Sequence, residues 1–175
     1  MSDREKNWLA IASLASQIKK CDELGLVTPS IAMSYICIDA MASLSRPLNK
    51  SRVTRLDFIE WVDSYVKCDP EQVYKYRGID FYAARCTFLH TYGSKSELHE
   101  KDSDIMQFVY CDGGRHFYNP SKDPNLVIIG TKSFTKDIIN AVTDFLDECG
   151  KDLQLKFRVE GRLSEVLDLV PISEL

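Results

Sequence analysis

The chain has no pair of cysteines at metal-binding or redox spacing. Its six cysteines, Cys21, Cys37, Cys68, Cys86, Cys111 and Cys149, are scattered, with no C-x-x-C among them. A structural zinc site wants ligands paired at short intervals. The one set with the right chemistry, His99, Cys111 and His116, is widely spaced. Most of the thiols sit among apolar neighbours, where free cysteine acts as a small hydrophobe. Reduced, packing cysteines are therefore expected. No apolar run approaches the roughly 20 residues of a membrane span. The opening stretch MSDREKNWLA carries early acids and no apolar signal region. These absences predict a cytoplasmic protein with no membrane association. A basic footprint is missing too, the net charge being −4. That weighs against tight non-specific binding to nucleic acid, although a sum over the chain does not see a small basic patch. There is no internal repeat, no low-complexity tract, no phosphate loop ending in Gly-Lys-Ser/Thr and no serine in a nucleophile elbow.

What is present reads as one mainly α domain with a small antiparallel β element. The 175 residues are 45% hydrophobic and 27% charged, the size and balance of one folded domain. Residues 5–93 form a helical core and residues 104–175 a strand-containing extension. Over about 5–24, Trp8, Ile11, Leu14, Ala15, Ile18 and Leu24 recur near helical spacing, and Gly25 suits the stop. Thr28-Pro29 restarts a helix. This second helix, SIAMSYICIDAMASLS, is apolar on nearly every face and belongs in the middle of the domain. RPLNKSR is a basic loop. A third helix over 54–67 turns Leu56, Ile59, Trp61, Val62 and Val66 inward. Asp69-Pro70 then reads as the start of a long fourth helix that runs through Gly78 to Gly93.

After Gly93 the character changes. Glu97, Glu100, Asp102 and Asp104 surround His99 with the chemistry of metal ligands, but a solvated polar loop explains them more simply. DIMQFVYC, the turn DGG and RHFYNP predict a strand, a tight turn and a second strand. NLVIIG predicts a third strand beside them. Ser133 caps a helix with Phe134, Ile138, Ile139, Val142, Phe145 and Leu146 at helical spacing. LQLKFRV alternates like a last strand or an irregular extended segment, and LSEVLDLV adds a helical turn or two.

Arg85 and His90 interrupt the apolar stretch AARCTFLHTYG. Five residues turn a helix by about 500°, so the two side chains leave it roughly 140° apart. For both to act at one point the helix must end near His90, as Gly93 implies, or a second copy must contribute. Histidine exchanges protons near neutral pH, and arginine is a permanent cation shaped for phosphate oxygens. Together they suit metal-free cleavage of an RNA phosphodiester by its own 2′-hydroxyl, with histidine moving protons and arginine stabilising charge on phosphorus. A helix C-terminus favours positive charge nearby, which fits His90 to the acid role. The alternative is purely structural: Arg85 pairs with an acid such as Asp39 or Asp80, and His90 bonds a carbonyl at the helix end.

An all-helical core with RCTFLH late in a helix resembles the HEPN superfamily, whose signature is an arginine, four to six residues, and a histidine. Matched residue by residue, these are Arg85 and His90. The resemblance implies a helical bundle, a homodimer that brings two motifs together, RNA or a nucleotide as ligand, and metal-independent endoribonuclease activity with no cofactor. It also implies a toxin or defence role, with a neutralising partner protein in some members, while others only bind. GIDFYAARCTFLHTYGSKSEL looks like bacterial sequences as well. Active members usually carry a polar residue after the arginine, where this chain has Cys86. A second cluster follows the glycine turn: Arg115, His116, Phe117 and Tyr118 place a cation, an imidazole and two rings together, a mix suited to stacking on bases or gripping phosphate, while a plain hairpin whose alternate residues face core and solvent is the simpler reading.

Overall fold

A computed structural model describes residues 3–163. The elements run α1 (Asp3–Glu23), α2 (Val27–Ser45), α3 (Arg55–Tyr65), α4 (Gly78–Thr91), α5 (Glu97–Lys101), β1 (Gln107–Cys111), β2 (Phe117–Tyr118), β3 (Leu126–Gly130), α6 (Thr131–Lys151) and α7 (Leu153–Glu160). The molecule is mainly helical, with one small sheet in its C-terminal half.

Gly25 ends α1 in the left-handed region, at φ 69°. Its amide donates to Asp22 and that of Leu26 to Cys21, the paired bonds that satisfy the last carbonyls of a helix. Ile11 and Ile18 are fully buried, whereas Leu24, beyond the stop, is exposed. The second helix begins at Val27, which places Pro29 in its first turn rather than at its first position. α2 occupies the centre, packing against α1, α3, α4, α6 and α7. It is 19 residues long, with a mean hydropathy of 1.3, so length and composition match a membrane span more closely than the run-by-run reading implied. Half of it is buried within the fold, through Ile31, Tyr35, Ile38, Met41 and Ala42. Thr54 and Asp57 close a reciprocal capping box at the start of α3, satisfying amides that have no partner inside the helix. Phe58, Trp61 and Val62 turn inward, but Leu56 in the first turn is exposed.

The long fourth helix is corrected to a shorter one. Residues 66–77 form an irregular arm, and α4 begins at Gly78. Asp69 caps only a turn, through the Glu71 amide. Gly78 sets the start because its amide donates to Asp63 Oδ1 at 2.6 Å and its backbone lies directly on α3. A Cβ there would stand 2.5 Å from the Ile59 carbonyl oxygen. Gly78→Ala is accordingly expected to cost about 3 kcal/mol, because backbone cannot give way as a side chain does. Gly150, in the last turn of α6 with nothing near its missing Cβ, should instead gain about 0.5–1 kcal/mol as alanine. Urea denaturation of the two variants checks both signs.

The sheet is mixed, not antiparallel. Its order is β1-β3-β2, with β1 parallel to β3 and β2 antiparallel to it. The Asp-Gly-Gly turn therefore does not fold β1 onto β2: NLVIIG supplies the middle strand. The expected strand LQLKFRV is the helix α7. Asp152 accepts from the Gln154 and Leu155 amides to start it, and Leu155 and Val159, four apart, are its buried face. The N-terminal residue of α6 is Thr131 rather than a residue capped by Ser133, whose hydroxyl bonds the Gly114 carbonyl instead. Of LSEVLDLV, only Leu163 lies within the described residues, and it is buried. Side chains from both halves share one core. Phe81 of α4 stacks on Phe134 of α6 at 5.6 Å, and Tyr35, Tyr76 and Phe108 meet Phe81 edge-on, the favoured geometry for aromatic pairs.

Candidate functional site

α4 turns Phe81, Ala84 and Thr87 into the core, which leaves Arg85 and His90 toward its outer flank. The helix stops one residue beyond His90. Tyr92 caps it in the left-handed region, at φ 53° and ψ 30°, and the Tyr92 hydroxyl is held at 3.0 Å from Thr28 Oγ1 at the start of α2. With the helix ended, the two motif side chains converge: Arg85 Nη1 lies 3.1 Å from His90 Nε2. Guanidinium nitrogens only donate, so His90 accepts at Nε2 and carries its proton on Nδ1. The other edge of Arg85 is committed to α2. Its Nε and Nη2 donate to Asp39 Oδ2 at 2.9 and 2.7 Å.

The pair is partly sheltered, with 22% of the Arg85 side chain and 32% of that of Asp39 accessible. Burial pushes the Asp39 carboxyl up, and Arg85 pulls it back. His90 is exposed. The result is a short line across the α2–α4 surface: carboxylate, guanidinium, imidazole. Next to it, the half-buried Cys86 lies close enough to act electrostatically on both Arg85 and the Tyr82 hydroxyl.

The second predicted cluster is divided. Arg115 and Phe117 are exposed and Tyr118 is half-buried, its hydroxyl donating to the Pro124 carbonyl. His116 is only 3% exposed and its ring is used internally. Nδ1 accepts from the Gly130 amide at 3.1 Å, so Nε2 carries the proton and donates to the Tyr76 hydroxyl at 2.7 Å. That hydroxyl donates in turn to Asp137 Oδ2 at 3.0 Å. Every member has its partner, and the chain of bonds fastens the 66–77 arm to β3 and α6. A sequence shows the residues of this network but not the fold that closes over them.

The network titrates in two opposed directions. Burial holds His116 down, to about 4 from its ordinary 6.5. Between those values the unfolded chain binds a proton that the folded one refuses, so this group loses stability as the pH falls. Burial lifts Asp137 from 3.8 to about 6. There the folded chain binds the extra proton, so stability rises as the pH falls. The two effects offset each other in mild acid. Asp137→Asn keeps an acceptor for Tyr76 and removes one effect. Its urea midpoint should fall more steeply than that of the wild type between about pH 6.5 and pH 4, and parallel profiles would refute the assignment.

His99 is also structural. Its Nδ1 accepts from the Ser96 amide at 2.9 Å, and Nε2 donates to the Met106 carbonyl at 3.2 Å. His99, Cys111 and His116 do not converge. Among the described residues no group of three histidine, cysteine or acidic side chains is placed to hold a metal ion. The cysteines there are all unpaired thiols, with Cys37 and Cys149 buried; burial pushes the Cys37 thiol up to about 12. Comparison with protein-family models, curated proteins and solved structures found no match for the chain.

Proposed function

We propose that the protein handles single-stranded RNA and cleaves it without a metal, in the manner of the HEPN superfamily it resembles. The observation that carries this reading is the convergence of an exposed His90 and a sheltered Arg85 to 3.1 Å despite their five-residue spacing. Asp39 holds one edge of the guanidinium, Nε and Nη2, and leaves Nη1 directed at the histidine. A phosphate oxygen arriving at Nη1 takes the place of the imidazole, and the freed His90 Nε2 takes up a proton from solvent, giving the imidazolium that serves as the acid. The RNA 2′-hydroxyl attacks phosphorus and its proton goes to a base. The bond to the 5′-oxygen breaks, and that oxygen takes a proton from an acid. The products are a 2′,3′-cyclic phosphate and a 5′-hydroxyl. His90 gives the proton to the leaving oxygen, Arg85 stabilises the charge on phosphorus, and His90 of a second copy supplies the base. The proposed unit is therefore a homodimer, formed on the outer α2–α4 face where Ile36 and Tyr92 are exposed.

The test is cleavage of diverse single-stranded RNAs by the wild type and by His90→Ala, with EDTA present throughout. Cyclic-phosphate ends that depend on His90 support the reading; equal inactivity ends it. The Asp39 contact favours one other reading, in which Arg85 ties α2 to α4 in a non-catalytic interaction protein. Equal inactivity combined with a large loss of stability in Arg85→Ala would establish that one.

A further inference from the structure

A hollow of about 560 Å³ lies along the flank of α4 that adjoins the Arg85–His90 pair. Its walls come from three parts of the chain. α4 contributes Tyr82, Cys86 and Thr87, α3 contributes Arg55 at its first position, and the segment after α4 contributes Lys95 and Glu100. Tyr82, Cys86 and His90 recur at four-residue spacing, which sets them one above the other along a single helical stripe. The hollow and the candidate catalytic histidine thus share a flank.

The chemistry of the walls is ordered along that stripe. Tyr82 is half-buried, and its ring is braced edge-on against Phe58 at 5.6 Å, so one ring surface is held in a fixed attitude. The charges of Arg85 and Arg55 both act on its hydroxyl. Arg55 and Lys95 are exposed at the rim. Two cations of the lining, Arg55 and Lys95, therefore flank one aromatic floor. Two carboxylates also line the hollow. Glu97 is engaged by Lys101 at 3.3 Å, and Glu100 is exposed.

We propose that this hollow is a one-nucleotide subsite of single-stranded RNA, next to the phosphate held by Arg85. The flanking base stacks on Tyr82, a mode of recognition open to every base and closed to a paired duplex. Its phosphate lies between Arg55 and Lys95, which neutralise it as point charges. Glu97 and Glu100 repel a further phosphate, so the strand leaves the groove after one nucleotide. This inference rests on the RNA reading above and adds the strand type and the residues that seat it.

The experiment compares the wild type, His90→Ala and Arg55→Ala/Lys95→Ala on one fluorescent single-stranded 12-mer in EDTA, reading anisotropy and cleavage. Both substituted cations of the double variant are exposed, and circular dichroism confirms that it folds. The expected result is a Kd and KM raised by about tenfold or more in the double variant, with a salt dependence of binding shallower by about one phosphate contact. His90→Ala should bind as the wild type does and fail to cleave. If the double variant binds and cleaves with wild-type Kd and KM, the subsite is wrong and the nuclease reading stands. If the wild type binds, and the double variant does not, but neither cleaves, the subsite stands and the nuclease is wrong. If the wild type neither binds nor cleaves the 12-mer, both fall. A duplex of the same sequence bound as tightly as the single strand overturns the stacking role of Tyr82.

Discussion

His90→Ala is expected to slow RNA cleavage by about 10²–10⁴-fold, the usual weight of a positioned acid or base, with no change in the urea midpoint. The two halves of that expectation have separate origins. The loss of rate follows from the proposed chemistry, in which the 5′-oxygen leaves only if a proton reaches it. The unchanged stability follows from placement: His90 is exposed, and its contact with the fold is the bond to Arg85. Arg85 in turn stays fixed by Asp39 when the imidazole is gone. Arg85→Ala is the less clean substitution. It strips the partly sheltered Asp39 carboxylate of the cation that offsets its burial, so cleavage and stability fall together. Measuring unfolding and cleavage on both variants separates a proton-moving histidine from one that merely fills the helix end. Cleavage by His90→Ala at the wild-type rate would sink the assignment.

Asp80→Ala is expected to cost about 3–5 kcal/mol, because it orphans two buried donors at about 1–3 kcal/mol each and breaks an ion pair whose Arg77 partner is half-exposed. Asp80 is fully buried in the first turn of α4, and four donor atoms from three residues converge on its carboxylate. Arg77 donates through Nε and Nη2, each at 2.7 Å. The Tyr74 hydroxyl donates to Oδ2, and the Met106 amide donates to Oδ1 at 2.9 Å. Alanine leaves the Tyr74 hydroxyl and the Met106 amide without that acceptor in a site that water does not reach, where each orphaned polar group is penalised in full. Three regions also lose their common tie: the 66–77 arm, the head of α4 and the entry to β1. Asp80→Asn keeps one acceptor oxygen and should fall between the two. A loss below about 1 kcal/mol on urea unfolding would show that the carboxylate is not the tie.

The parts of the fold that the sequence states plainly are those whose signal is periodic and local. Phe134, Ile138, Val142 and Phe145 mark α6 because its one buried face repeats at helical spacing, and all four are buried. Glycine at 25 marks the end of α1 because only a left-handed residue makes that turn easily. The misread parts are those in which a distant contact decides. Residues 69–77 carry helix-start chemistry, yet Asp63 and Ile59 of α3 fix the start at Gly78. LQLKFRV alternates well enough for a strand, but Asp152 and the Leu155–Val159 pair make it helical. The DGG turn is genuine turn chemistry with the wrong partner, because strand order is a tertiary property. At the site, the arginine and the histidine were legible and Asp39 could be named as one of two acids in reach. Arg55 and Lys95 carried no signal, since nothing near them in sequence says which flank of α4 they face. The burial of His116 was equally invisible: it depends on Tyr76 and Asp137, forty residues before it and twenty-one after.

The middle strand of the sheet has a consequence for synthesis. β3 partners both β1 and β2, and it is the last of the three to be made. Until residues 126–130 emerge from the ribosome, Gln107–Cys111 has no ladder to join, and Tyr110 lacks the ring of Phe134 that later meets it. α2 waits longer still, because Phe134, Ile138 and Phe145 of its core arrive with α6. The growing chain therefore presents one side of its most apolar helix, the side that α1, α3 and α4 do not cover, and an unpaired strand at the same time, and folding is completed only when its last third is delivered. Such a chain needs protection while it is being made, and one that stops short of Leu126 is a template for aggregation rather than a smaller version of the protein.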